Sequence, residues 1–442
     1  MTTIPQVAQA MQHVLTTLAD AAARRSDYVQ RVSKLTGALF VQTLVFAFWA
    51  TPHATREQLA QMAAALGLSI SPQALDQRMT ENGAHCLYEV LEAAITTIVA
   101  ADPVAIPLLS RFAGVYIQDS TRIGLPRTLA HLWRGSGNQH TKDGTSAQLK
   151  LSVRLDLASG AMSGPHLDHG ITSDRSTSIQ NQPIPAGALR LADLGYFDTE
   201  VLRTIGFEGG YWLSRFQSTT ALYDEQGKRL DLVAALAEVG TPTVDMPVRL
   251  GAGQRLRCRL LAQRVPQEVA DQRRRRLRVE AKRRGRTPSA LMLALAEWTL
   301  LVTNVPHELL TVREGLVLAR ARWQIECVWK LWKSQGHIDT WRSAKAGAIL
   351  CELYAKVIAM IVHHWVMLVS CWSYVDRSLV KAAATIRLHV ITLALAMGDS
   401  ERLAKVLEVI AACLAVGCRI NKRKTSPHTF QLLQEAPDLV LA

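Results

Sequence analysis

Apolar and polar positions recur with different periods along the chain, and each change of period marks a change of expected structure. Residues 1 to about 105 place apolar side chains at helical spacing in an Ala-, Leu- and Gln-rich background. Within them Thr55 and Gln58 precede the stripe Leu59, Met62, Ala63 and Leu66, which predicts a helix started by a capping box. Gly67 is placed to stop that helix, and Ser71-Pro72 to start another. From Gly114 to about Gln217 the pattern becomes β-rich. GVYIQD, AQLKLSVRLDLA and GAMSGPHLDHGI predict three strands, with Ser159-Gly160 as the turn between the last two. ALRLADLGY and GYWLSRFQ predict two more strands around a short helix near residues 198–205. VDMPVRL and RLRCRLLAQRV read as strands ahead of an Arg-rich helix, EWTLLVTNVP as a return to buried strand, and Thr311 as the cap of a further helix. Residues 343–442 read as helical. The expected fold class is α/β, with a mixed sheet between helical ends. The expected regions are 1–105, 106–217, 218–297, 298–342 and 343–442.

Length agrees with this division, because 442 residues exceed what one compact core usually holds. Hydrophobic residues make up 49% and charged residues 20%, a globular balance. The 50 Lys and Arg against 37 Asp and Glu leave a net charge of +13, which suits a polyanionic partner, either nucleic acid or an anionic membrane surface. The seven cysteines are scattered without a C-x-x-C pair, so neither a disulfide framework nor a zinc site is expected. The N-terminal MTTIPQVAQAMQHV lacks the basic-then-apolar form of a secretory signal. The greasy stretch from Ala38 is only 13 residues, too short to span a bilayer. The apolar run 352–372 contains Glu352, Lys356, His363 and His364, which predicts a buried core helix. A soluble cytoplasmic protein with no membrane partner is the expectation.

Helix, short glycine turn and helix over residues 55–81 is the order of a helix-turn-helix, whose second helix enters the major groove. Gln73, Gln77 and Arg78 are then the candidates for base or phosphate contact. The plain alternative is a helical hairpin packed in a bundle.

Three acids stand in settings that hold metal for phosphoryl transfer. Two divalent cations about 4 Å apart can serve the attacking and the leaving oxygen, and carboxylates suit such hard cations. Asp119 follows the apolar run GVYI and Asp193 ends LRLA, so both are expected at strand ends, where an acid is costly without a partner. Glu326 lies in ARWQIECVWKLWKS, expected to be one helix with Arg322, Glu326, Lys330 and Lys333 on one face and Trp323, Val328, Leu331 and Trp332 packing elsewhere. Arg322 fits a bidentate phosphate clamp and Lys333 a point-charge contact; a salt bridge from Arg322 to Glu326 is the rival role.

In these residues the chain resembles the DDE transposases of bacterial insertion sequences, in the group marked by Tyr-x2-Arg-x3-Glu-x6-Lys. Arg322, Glu326 and Lys333 match that spacing, and Ala319 stands where the group has tyrosine. IQDSTRI around Asp119, ADLGYFD around Asp193 and WTLLVTNVP ahead of RWQIE also resemble the group's blocks, and the likeness runs roughly from Phe40 to Leu432. The resemblance implies an RNase H-like core interrupted by a β-rich, basic insertion (218–297), an N-terminal helical DNA-binding region and a C-terminal helical region for dimerisation or DNA contact. It implies Asp119, Asp193 and Glu326 as catalytic metal ligands for two Mg2+ (or Mn2+) ions. It implies double-stranded DNA, both transposon ends and target, as partner, and a homodimer in the synaptic complex. Cleavage at each end followed by strand transfer is the implied reaction, with release of the second strand through a DNA hairpin in this group.

Lys330 and Arg215, in GYWLSRFQ, join the expected DNA contacts. Trp298 matches a position suited to stacking on an unpaired base, although a strand tryptophan is more often core. RRRRLRVEAKRRGR (273–286) has nine basic residues in fourteen, either a solvated face or a grip on phosphates, and 422–424 adds three more. Alternation divides His166 and Asp168 from His169, against a metal cluster, and His363-His364 reads as packing. GSGNQHTKDGTS lacks the ending of a phosphate-binding loop, so no nucleotide cofactor is expected. The other classes in view are a catalytically inactive end-binding repressor and a nuclease without strand transfer.

Overall fold

The computed structural model describes residues 3–31, 33–137, 146–423, 425 and 427–436. Most of the loop 135–146 and Lys424, both considered above, lie outside the described residues. The chain forms two compact units, and strand β1 (Val115–Leu125) begins in the second and ends in the first.

The first unit comprises Met1–Ala105, Asp119–Thr172 and Gln324–Ser426. Its centre is the helix Ala346–Leu368, long and apolar enough to cross a membrane but buried along nearly its whole length. The helices Gly37–Ala50 and Glu81–Thr96 pack against it. Burying four ionisable side chains in such a helix requires partners inside the fold. Lys356 Nζ donates to Glu352 Oε1 at 2.7 Å and to the carbonyl of Thr340 at 2.8 Å. The other Glu352 oxygen accepts from the Arg342 backbone at 3.1 Å. His363 Nδ1 accepts from Trp49 Nε1 at 3.2 Å, and His364 Nε2 donates to the Gly160 carbonyl at 2.7 Å. The two histidines are therefore packing groups, as their setting in an apolar run predicts.

Gly160 sits in the turn joining β2 (Ala147–Asp156) to β3 (Met162–His169), an antiparallel pair with Leu149 opposite His169 and Leu155 opposite Met162. Asp156 closes the turn by accepting from the backbones of Ala158 and Ser159. Gly160 has φ +70°, and a Cβ there would lie 2.6 Å from Leu368 and Trp372. The strand order within this unit is β3, β2 and the remainder of β1. Near the N-terminus the predicted caps form: Thr55 and Gln58 make a reciprocal capping box for Arg56–Ala65, and Ser71 caps Pro72–Arg78. Gly67 turns between them at φ +85°.

The second unit comprises Ile106–Gln118, Ser173–Trp323 and Pro427–Ala442. Its strands are β4 (Leu189–Ala192), β5 (Tyr211–Arg215), β6 (Leu222–Tyr223), β7 (Thr243–Leu250), β8 (Leu256–Arg264) and β9 (Trp298–Thr303). They follow the start of β1 in the order β1, β4, β5, β9, β8, β7, β6. β1, β4 and β5 are parallel neighbours, and every later pairing is antiparallel, so the sheet is mixed as predicted. The strands of 218–297 join this same sheet, β8 lying along β9. Asn304 fixes the junction of β5 and β9, accepting from the Trp212 backbone at 2.8 Å and donating to the Gly210 carbonyl at 2.9 Å. Trp212, Leu250, Leu260 and Val302 are central to the core.

Burial and the neighbouring His364 push His363 down to about 3, and burial pushes His364 down to about 4, from an ordinary value of 6.5. The unfolded chain therefore takes up protons below about pH 6.5 that the folded chain excludes until about pH 4. Stability must fall with pH across that window, by up to roughly 1.4 kcal/mol per pH unit for each histidine. Urea midpoints from pH 6.5 to 4.5 should drop more steeply for the native chain than for a His363→Gln/His364→Gln variant; parallel slopes would refute this assignment.

Candidate active site

The predicted acids and their neighbours are distributed over both units. In the second unit β4 pairs in parallel with β1 through Val115↔Leu189 to Gln118↔Ala192. Asp119 and Asp193 are the residues that directly follow the last pair on their respective strands. β4 ends there, as predicted. β1 does not: it runs on to Leu125, so Asp119 lies within a strand and not at its end. The reason is that STRIGL alternates well enough to continue as strand, with Ile123 fully buried. Asp193 opens the single turn Leu194–Tyr196 and keeps 46% of its side chain exposed. Arg322 Nη2 approaches Asp193 Oδ1 at 3.6 Å, an ion pair too long for a good hydrogen bond.

The single helix expected through Arg322 and Glu326 is interrupted. Val312–Ala321 is one helix, with Thr311 and Glu314 forming its capping box, and Gln324–Ser334 is the next. At the junction Trp323 N–H bonds to the Arg320 carbonyl, three residues back, and this tightened turn ends the first helix. Arg322 is thus the C-terminal cap of one helix, and Glu326 lies in the first turn of another. Lys330 and Lys333 share the face of Glu326 at i+4 and i+7 as expected, whereas Arg322 belongs to the end of the preceding helix. Both charges sit where the helix dipole favours them, a cation at the carboxyl end and an acid at the amino end. Trp323, expected to pack, is half exposed.

In the first unit Ile325, Val328, Trp329, Leu331 and Trp332 bury one side of Gln324–Ser334. Lys333 Nζ donates to the Arg122 carbonyl on β1 at 3.4 Å, so the helix carrying Glu326 is tied to the strand carrying Asp119. Lys330 is exposed. Asp119, Glu326 and Asp193 are all half-buried, so each remains reachable from solvent. Their all-oxygen donor chemistry suits a hard divalent cation. Among the described residues no three His, Cys, Asp or Glu groups gather as a metal-holding cluster.

Trp298 opens β9, partly buried against the core of the second unit and lining a cavity of about 350 Å3 with Val233, Leu236 and Leu295. Its carbonyl accepts from Arg273 Nη1 at 2.9 Å. Arg215 ends β5 opposite Leu301 and is exposed. Burial lowers the Arg273 guanidinium, and the nearby charge of Arg215 lowers it further. That closeness was hidden in the sequence, where the two lie far apart. Gln73, Gln77 and Arg78 are all exposed on or beside Pro72–Arg78. Asp76 on the same helix faces Arg56 at 3.0 Å and Lys345 at 3.6 Å, which holds the helix in the first unit.

Residues 110–362, more than half of the chain, match the family model described as Transposase DDE domain. The chain is 24% identical over 458 residues to the transposase for insertion sequence element IS231F of Bacillus thuringiensis subsp. israelensis, covering 97% of this chain and 94% of that protein. It is likewise 24% identical over 376 residues to the transposase for insertion sequence element IS1151 of Clostridium perfringens, covering 79% and 77%. A fold of mixed sheet and helices, acids following the last rungs of a parallel ladder, and these matches lead to one assignment: the chain belongs to the DDE transposases of bacterial insertion sequences.

Proposed function

We propose that this transposase binds the terminal inverted repeats of its element as a homodimer, cuts the DNA there and joins the freed 3′ ends to target DNA. Asp119, Asp193 and Glu326 are the acidic set of an RNase H-like core. What most supports this reading is the ladder that ends at Gln118↔Ala192, because both aspartates follow its last pair directly. The three carboxylates would hold two Mg2+ or Mn2+ ions, which when bound supply an activated attacking oxygen and stabilise the leaving one. Arg322, Glu326 and Lys333 serve as the remaining members of the Tyr-Arg-Glu-Lys signature, with Ala319 in place of its tyrosine.

The chain's own groups divide the work. Arg322 faces Asp193 from the cap of its helix and is the candidate clamp for a phosphate bound beside it. Lys333 keeps the Glu326 helix against β1, and Lys330 meets the DNA backbone from its exposed position. Arg215 approaches DNA from the end of β5, and the partly exposed Trp298 ring meets a base. Gln73, Gln77 and Arg78 read the terminal repeat from the second helix of the pair, and Ala319 leaves the strand near the scissile bond without a tyrosine contact.

Asp119→Asn, Asp193→Asn and Glu326→Gln should each lower cleavage of labelled terminal-repeat DNA by roughly 10²–10³-fold or more while repeat binding persists. Chelation should abolish cleavage by the native protein, and Mg2+ or Mn2+ should restore it. Undiminished cleavage by any of the three variants removes that residue from the set. Binding without nicking by the native protein would identify a repressor, and nicking without joining a nuclease. A Gln73→Ala/Gln77→Ala variant should lose about 1–3 kcal/mol of preference for the repeat over random DNA, read by competition binding. An unchanged preference would return the helical pair to a packing role.

A further inference from the structure

The nine basic residues of 273–286 separate into two groups once folded. Gln267–Arg283 is a helix of the second unit, and Ala270, Arg273, Arg274, Leu277 and Ala281 form its inner side. The arginines among them are consumed by the fold. Arg273 donates to the Trp298 carbonyl and, at 3.0 Å, to Thr299 Oγ1. Arg274 donates to the Leu293 carbonyl at 3.2 Å, to Asp271 at 2.9 Å and to Glu297 at 2.5 Å. These bonds fasten the helix to the entrance of β9.

The opposite side presents Arg275, Arg276, Arg278, Lys282 and Arg283, all exposed. A solvated ion-pair ladder would place acids three or four residues from these cations. Two acids stand at that spacing, Asp271 from Arg275 and Glu280 from Arg276 and Arg283, but Asp271 pairs with Arg274 at 2.9 Å and Glu280 with Arg284 at 2.7 Å. A membrane-surface helix would turn an apolar face outward. Here the inner face is packed against the unit, and Val279 is the one exposed apolar side chain among the outer cations. From Arg275 to Arg283 the helix rises about 12 Å, the axial length of three or four phosphates on one strand of duplex DNA.

We propose that this outer face grips the phosphate backbone of duplex DNA without reading its sequence. Arg273 and Arg274 act as positioning residues that set the angle of the grip. The proposal rests on the chain being a DNA-processing enzyme, and it assigns a second DNA surface apart from the acidic set and from residues 55–81. Its hallmark is electrostatic: each phosphate contact releases counterions, so log K falls with log salt by about 0.9 per contact.

The test measures binding of the full-length protein to a random-sequence duplex between about 50 and 200 mM salt. A variant carrying Arg275→Gln, Arg276→Gln, Arg278→Gln and Lys282→Gln should bind more weakly and show a salt slope shallower by about 2 to 4. Replacing the three arginines by lysine should keep the native slope, which separates loss of charge from loss of fold. A native slope in the glutamine variant overturns the proposal, as does charge-dependent binding of this face to phosphatidylserine vesicles with duplex binding unaffected. If the native protein cleaves terminal repeats while the glutamine variant keeps its slope, this proposal alone fails. If the native protein binds no duplex at all, the functional reading fails with it.

Discussion

A helix buried on every side has no hydrated face, and this constraint governs the first unit. Ala346–Leu368 packs between Gly37–Ala50 and Glu81–Thr96 and yet contains Glu352, Lys356, His363 and His364. The buried ion pair and one nitrogen of each histidine find partners there, without which they would cost several kcal/mol. The partners come from distant segments: Trp49 from another helix, Gly160 from a hairpin turn, Thr340 and Arg342 from the approach to the helix itself. The polar groups of one apolar helix thus specify where three other segments must lie. Greasy packing alone would allow the neighbours to slide.

Local chemistry was the most legible part of the fold. Thr55 with Gln58, Ser71 with Pro72, and Thr311 with Glu314 act over three or four residues, so the sequence shows both partners at once. The strands over 147–169 and 189–215 were legible for the same reason, since alternation needs no long-range information. Pairing order was not. That β9 lies between β5 and β8 depends on contacts between segments almost a hundred residues apart, such as Asn304 with Gly210 and Trp212.

Around the candidate site, the acids could be found from apolar runs that end in aspartate, but their exact settings could not. Leu318, Ala321, Ile325, Val328 and Trp332 keep helical spacing straight through the break at Trp323, and all are buried. Periodicity therefore reads one helix where a tightened turn makes two. β1 likewise continues past Asp119, because a half-buried acid breaks no strand when the alternation around it persists. The division of labour among the arginines of 273–286 was invisible in composition, which counts charges without saying which way they point.

The turn at Gly160 has a consequence beyond its own geometry. Its carbonyl receives a hydrogen bond from His364, and its missing side chain is what lets Leu368 and Trp372 close over it. Side chains alternate across a hairpin, so a slip of β3 along β2 by one residue would present Ser159 or Ala161 at that contact. A Cβ at that place would collide with Leu368 at the end of the helix and with Trp372 just beyond it. The buried helix therefore disciplines the hairpin: the position it closes over has no room for a side chain, a demand set by an element nearly two hundred residues later in the chain.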